Sequence, residues 1–108
     1  MRLALESDVE VVGEAGDGID ALEQVERLAP QVVLMDVEMP GLDGIATTSE
    51  LRARSTDAAV VMLSMHDDAM TVDRALAAGA NAFVSKRSID GALLEAIRRA
   101  AYGEGEVP

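Results

Sequence analysis

Short valine- and alanine-rich runs alternate along this chain with stretches of helical period. Val9-Glu10-Val11-Val12-Gly13-Glu14-Ala15 opens with alternation and is rich in valine, which predicts a strand. Asp17-Gly18 then predicts a helix start. Ile19, Leu22, Val25 and Leu28 recur at helical spacing, and Pro30 just past Ala29 stops the run. The apolar residues from Val32 to Met35 lead directly to Asp36, and such a run fits a parallel strand covered on both faces. Pro40, Gly41 and Gly44 mark the loop that follows. A helix from about Ile45 to Arg54 comes next, weakened by Thr47, Thr48 and Ser49, which are poor helix formers.

Ala59-Val60-Val61-Met62-Leu63-Ser64 has the same buried-strand pattern. Asp67 or Asp68 caps a helix running to Ala78, with Gly79 placed to end it. Ala82-Phe83-Val84 predicts a short strand ending at Ser85-Lys86. Ser88 caps a last helix whose Ile89, Leu93 and Ile97 share a face, and Gly103 ends it. Strands and helices alternate with short connections throughout. The expected fold is therefore α/β, a doubly wound parallel sheet with right-handed crossovers and helices on both faces.

Composition narrows the class without changing this picture. The 108 residues allow one domain, spanning 1–102 with a frayed tail at 103–108. Apolar residues make up 49% and aromatics only 2%, so aliphatic side chains build the core. The absence of cysteine excludes disulfides and thiolate metal sites and fits a cytoplasmic setting. No run is long enough to span a bilayer, and no basic-then-apolar leader follows Met1. A formal net charge of −11 argues against nucleic acid or anionic lipid as a direct partner of this segment.

Candidate chemistry lies at the strand ends. In open α/β sheets ligands collect outside the carboxyl ends of the strands. Three predicted strands end in Asp36, Ser64 and Lys86, and parallel strands deliver all three to one edge. A carboxylate can act as a nucleophile, an ammonium can hold phosphate oxygens, and a hydroxyl can donate to them. Each residue alone reads as a polar strand terminus. Together they suggest a phosphoryl site.

Val33-Leu34-Met35-Asp36, Met39-Pro40-Gly41-Leu42-Asp43-Gly44, Leu63-Ser64 and Gly79-Ala80-Asn81-Ala82-Phe83-Val84-Ser85-Lys86 resemble the receiver domain of bacterial response regulators. The likeness runs from Val9 to Ala101. Val11 to Gly18 and Ser64 to Asp68 look most like receivers that precede a LuxR-type helix-turn-helix. The resemblance implies a flavodoxin-like fold and a phosphorelay switch that takes its phosphoryl group from a sensor histidine kinase. It makes Asp36 the phosphoacceptor, Lys86 the phosphate contact, Ser64 the switch hydroxyl and Phe83 the switch aromatic. It assigns Asp36 and the main-chain carbonyl of Glu38 to Mg²⁺, and the Glu38 and His66 side chains to tuning phosphate lifetime. An ordinary core ring remains the alternative for Phe83. A solvated loop histidine remains the alternative for His66. A DNA-binding output domain in the full-length protein, transcriptional control and homo-oligomer formation are further expectations of the resemblance.

The chain departs from the family at its beginning. A receiver opens with a strand ending in two acidic residues, followed by a full helix, and those acids bind Mg²⁺ with the phosphoacceptor. Only Met1 to Asp8 precede the first strand here, and a parallel crossover needs a dozen or more residues. Glu6, Asp8 and Glu10 do not end an apolar strand and so do not replace the pair. The expectation is an N-terminally truncated receiver lacking its first central strand and the start of its first helix, with Met1 to Ser7 as the last two turns of that helix, through an upstream start or a shortened chain. The less favoured explanation is a remnant whose open strands pair with a second copy. Mg²⁺ binding is then expected to be weak or absent, because the ion demands near-octahedral oxygen coordination. The alternative function is a receiver-like interaction module that is never phosphorylated. A haloacid-dehalogenase-like phosphatase fits poorly, since Asp36-Val37-Glu38-Met39 lacks the second Asp two residues on. No GxxxxGK[ST] or GxGxxG motif is present, which excludes nucleotide hydrolysis and dinucleotide binding. The chain is expected not to be an enzyme beyond self-phosphorylation and autodephosphorylation.

Overall fold

Aspartates set the starts of three helices. In the computed structural model, which describes residues 13–88 and 90–102, α1 (Gly18–Leu28) begins on Asp17, whose carboxylate accepts the Asp20 N–H at 2.8 Å. Asp43 does the same for α2 (Gly44–Ala53) through the Ala46 N–H at 2.8 Å. Asp68 heads α3 (Ala69–Ala77), accepting the Thr71 N–H at 3.1 Å and the Thr71 hydroxyl at 2.8 Å. Each cap satisfies a donor that the first helical turn leaves without a partner.

The helix ends follow from equally local rules. Ala29 adopts the left-handed conformation (φ 45°) directly before Pro30 and closes α1. Gly79 (φ 111°) follows Ala78, the C-cap of α3, its N–H bonding Leu76 O at 3.0 Å while the Ala80 N–H bonds Ala75 O at 3.1 Å. That pair of bonds is a Schellman ending, which needs a residue without a Cβ at the reversal. The final helix, α4, spans Asp90–Tyr102.

Helix α2 forms despite its threonines. Both Thr47 and Thr48 are fully buried, and their hydroxyls donate to Asp43 O (2.7 Å) and Gly44 O (2.8 Å) one turn back. The hydroxyls thus need no outside partner, and tertiary burial overrides a weak intrinsic propensity.

Strands β1 (Val32–Asp36), β2 (Ala59–Ser64) and β3 (Ala82–Ser85) form a parallel sheet in the order β1-β2-β3 among the described residues. The central strand, β2, is buried at every position. Its alternate residues serve two cores. Val60 and Met62 pack with Met35, Leu51, Ala75 and the Ala21, Leu22 and Val25 face of α1, while Val61 and Leu63 pack with Val84 and with Leu93 and Ile97 of α4. The period of two in the strand therefore produces a sheet covered on both sides. This is the doubly wound α/β arrangement expected from the sequence.

The buried stripe of α1 differs from the expected one. Gly18, Ala21, Leu22 and Val25 face inward, whereas Ile19 is 59% exposed and Leu28 38%. The inward residues are spaced i, i+3, i+4 and i+7, and Ile19 stands one residue, roughly 100°, off that line. Of the first expected strand, residues 9–12 lie outside the described residues, and Gly13 to Ala15 have no regular structure. The expectations on Met1 to Asp8, Ile89, the capping side chain of Ser88 and the tail from Gly103 also lie outside the described residues.

The cap of α3 carries a pH signature. Hydrogen bonds from the Thr71 hydroxyl, and then from its backbone N–H, hold the Asp68 carboxyl below its ordinary range. A lowered native value means the cap's contribution is complete above the unfolded carboxyl's value and disappears as pH falls through the native one. Acid is thus expected to fray the first turn of α3. Asp68→Asn, which caps without titrating, should remove that pH dependence from the protection factor of the Thr71 amide as pH falls below the ordinary carboxylate range.

Candidate functional site

Register places the site. Asp36, the last residue of β1, stands opposite Leu63, and Ser64, the last residue of β2, stands opposite Ser85. Lys86 follows β3 at the start of a 3₁₀ turn over Lys86–Ser88. The three side chains therefore reach the same edge of the sheet in a staircase, one strand per residue. Strands β1 and β3 flank β2, so roughly 10 Å of backbone separation lies between them. Only a long side chain spans that gap, and Lys86 does so.

Lys86 Nζ lies 2.7 Å from Asp36 Oδ1, with the two side chains 28% and 33% exposed. That carboxylate oxygen is itself buried and receives no well-aligned hydrogen bond. The contact is thus a charge pair rather than an aligned hydrogen bond. A carboxylate oxygen that, among the described residues, meets a cation but no aligned donor can serve as a nucleophile or a ligand.

Ser64 is fully buried and doubly engaged. Its hydroxyl donates to Glu38 Oε2 at 2.8 Å and accepts the His66 N–H at 2.9 Å. Glu38 Oε1 also receives the Met65 N–H at 3.4 Å. The structure therefore brings Glu38 to Ser64, a contact that sequence reasoning did not reveal. Nothing in a period-two strand pattern orients a side chain in the loop beyond β1. His66 enters the network through its backbone, and the residue is exposed. Phe83 is half-buried and packs against the larger core cluster.

Gly44 fixes the loop that follows Asp36. Its N–H bonds Val37 O at 2.9 Å, and a Cβ built on it would stand 2.0 Å from the Asp36 carbonyl oxygen. The start of α2 is thus pressed directly onto the end of β1.

The Mg²⁺ ligands expected from the sequence are the Asp36 carboxylate and the Glu38 main-chain carbonyl; among the described residues no group of three or more acidic or histidine side chains converges to hold a metal. The Glu38 carboxylate is turned to Ser64. The side chains among the described residues therefore fall short of the octahedral oxygen set that Mg²⁺ demands.

Comparison with known proteins identifies the class. The model of the response regulator receiver domain family matches residues 1–98, and this chain belongs to that family. Relatives include the transcriptional regulatory protein DegU of Brevibacillus brevis, 41% identical over 94% of this chain and 43% of its own length. The nitrate/nitrite response regulator NarL of Escherichia coli is 35% identical over 94% of this chain and 47% of its own. The chain spans about half the length of the curated relatives it matches. Among solved structures, the receiver domain of the response regulator NarL from Mycobacterium tuberculosis superposes with a TM-score of 0.82 at 37% identity, covering 87% of this chain and 76% of that one. A LuxR-family DNA-binding response regulator from Staphylococcus aureus gives 0.81 at 26% identity, covering 88% and 79%. The expected receiver fold and its kinship with LuxR-type regulators are thus shown. Receiver domains generally bind Mg²⁺ for phosphorylation. Among the described residues no helix is long and apolar enough to cross a membrane.

Proposed function

We propose that Asp36 accepts a phosphoryl group from the phosphohistidine of a sensor histidine kinase and that the domain, residues 1–102, alters its output surface in response. The observation that carries this reading is the Asp36–Lys86 pair at 2.7 Å beside the buried Ser64 hydroxyl, three groups delivered by three adjacent strand ends. A carboxylate oxygen of Asp36 attacks phosphorus. The P–N bond breaks, its electron pair returns to the imidazole, and that ring takes up a proton. The product is an acyl phosphate on Asp36. Lys86 then follows the charge onto the phosphoryl oxygens, Ser64 donates to them, and Phe83 packs behind the moving hydroxyl. Slow hydrolysis of the acyl phosphate is the only other chemistry assigned to the domain.

The relatives' names supply the setting. They include transcriptional regulators and a DNA-binding response regulator, so the full-length protein is read as a transcription regulator with a DNA-binding output domain; a cytoplasmic location and self-association are further parts of the proposal. The short metal donor set among the described residues favours a second reading, an interaction module that is not phosphorylated.

Incubation with acetyl phosphate and Mg²⁺, followed by intact mass measurement, separates the two. The expected result is a single hydroxylamine-labile phosphoryl adduct on this chain and none on Asp36→Asn. An unmodified chain, or equal labelling of the variant, would overturn the phosphoacceptor role and leave the interaction module.

A further inference from the structure

A hydroxyl has one proton to donate. In this structure Ser64 donates that proton to the Glu38 carboxylate, at 2.8 Å, and its lone pairs receive the His66 N–H at 2.9 Å. Ser64 is fully buried, so bulk solvent does not compete for its hydroxyl. Glu38 is also bonded by the Met65 N–H, so its carboxylate bridges the end of β2 and the loop after it. A phosphoryl group on Asp36 and the carboxylate of Glu38 are two anions that compete for the same proton.

We propose that the Glu38 side chain is a resting-state catch, holding Ser64 and the Met65–His66 backbone in place until a phosphoryl group on Asp36 outbids it for the Ser64 hydroxyl. Glu38 acts through Ser64 and is a positioning residue. This role is separate from any effect on hydrolysis of the acyl phosphate, because it acts on the unphosphorylated state. In its second half it rests on the phosphoacceptor reading above. Its first half, the hold on Ser64 and His66, does not.

The catch makes a specific statement about coupling. Loss of the Glu38 carboxylate should favour the anion-bound state only while Ser64 is there to be released. Simple relief of charge repulsion between Glu38 and an incoming anion would act with or without Ser64. The two causes are therefore separable by a cycle of variants.

The test has two arms on the whole chain. Without ligand, amide exchange of His66 is measured in the wild type, Glu38→Ala and Glu38→Gln. Exchange should accelerate several-fold in Glu38→Ala and much less in Glu38→Gln, whose side-chain carbonyl still accepts the Ser64 proton. Unchanged His66 exchange in Glu38→Ala would overturn the catch. With beryllium fluoride and Mg²⁺ as the probe, Glu38→Ala should bind about tenfold more tightly, the scale expected for removing a competing charge-assisted hydrogen bond. The gain should vanish in a Ser64→Ala background. A gain that survives there would assign the effect to charge repulsion and overturn the catch. Asp36-independent binding, or none to any variant, would sink the phosphoacceptor reading instead, and the ligand-free arm would then decide the catch alone.

Discussion

Gly44→Ala is expected to destabilise the protein by about 2 kcal/mol or more, against a helix-propensity gain of at most about 1 kcal/mol. The new Cβ would lie 2.0 Å from the Asp36 carbonyl oxygen, 2.8 Å from its carbon and 3.0 Å from Met35 Cγ. Two of those three atoms are backbone, which cannot turn aside as a side chain does. Either β1 moves away from α2, or α2 gives up the bond from Gly44 N–H to Val37 O. Both displace the residue that carries the proposed nucleophile. The variant should therefore lose stability and acetyl phosphate labelling together. Gly91→Ala in α4 provides the control, since open space surrounds a Cβ there and the substitution should add up to about 1 kcal/mol. Urea melts of the two variants with unchanged slopes would check both signs. A Gly44→Ala protein as stable as the wild type would show that the β1–α2 junction is looser than its distances imply.

The contrast between these glycines bears on how much of the molecule is legible in the chain. The run Val32 to Met35 announces β1, and Asp17 and the Asp67-Asp68 pair announce helix starts, because strand burial and capping depend on neighbours a few residues away. The edge shared by Asp36, Ser64 and Lys86 follows from parallel topology, since each residue ends or follows its own strand. Other features depend on contacts that no local pattern encodes. Gly44 reads as a turn residue, yet its requirement comes from an approach to Asp36 that only the folded loop creates. Thr47 and Thr48 read as weakness in α2, yet they are buried because α2 must pack closely there. Glu38 reads as a loop acid, and its bond to Ser64 spans 26 residues of chain. Ile19 reads as core because it fits a helical period, but the inward face runs through Gly18 and Ala21.

The two edges of the sheet also divide labour. The carboxyl edge gathers a charge pair and a committed hydroxyl. The amino edge is closed by a network centred on Arg52, a residue whose helix-surface position gave no hint of its role. An α/β sheet that responds at one end needs the other end held, because a packed core transmits displacement rather than absorbing it.

Arg52→Ala is accordingly expected to cost about 2–4 kcal/mol while leaving the chemistry of Asp36 intact. The guanidinium donates to Gly79 O at 3.0 Å, Thr56 O at 3.0 Å, Ala58 O at 2.8 Å and Asn81 Oδ1 at 2.8 Å. The same Asn81 oxygen accepts the Val60 N–H at 2.8 Å, so one side chain ties α2, the end of α3 and the starts of β2 and β3. The Arg52 stem also lies against Gly79, where a Cβ would come within 2.5 Å of its Cγ. Truncation removes four charge-assisted bonds, and the half-buried site lets water recover only part of them. Arg52→Lys should restore less than half of the loss, since a single ammonium cannot fan out to carbonyls on three elements. The measurement is the urea midpoint of each variant beside its acetyl phosphate labelling. Stability should fall from wild type to Lys to Ala, while labelling of the folded protein stays constant. Equal stability of Lys and Arg at this position would reduce the network to simple charge neutralisation of the helix end.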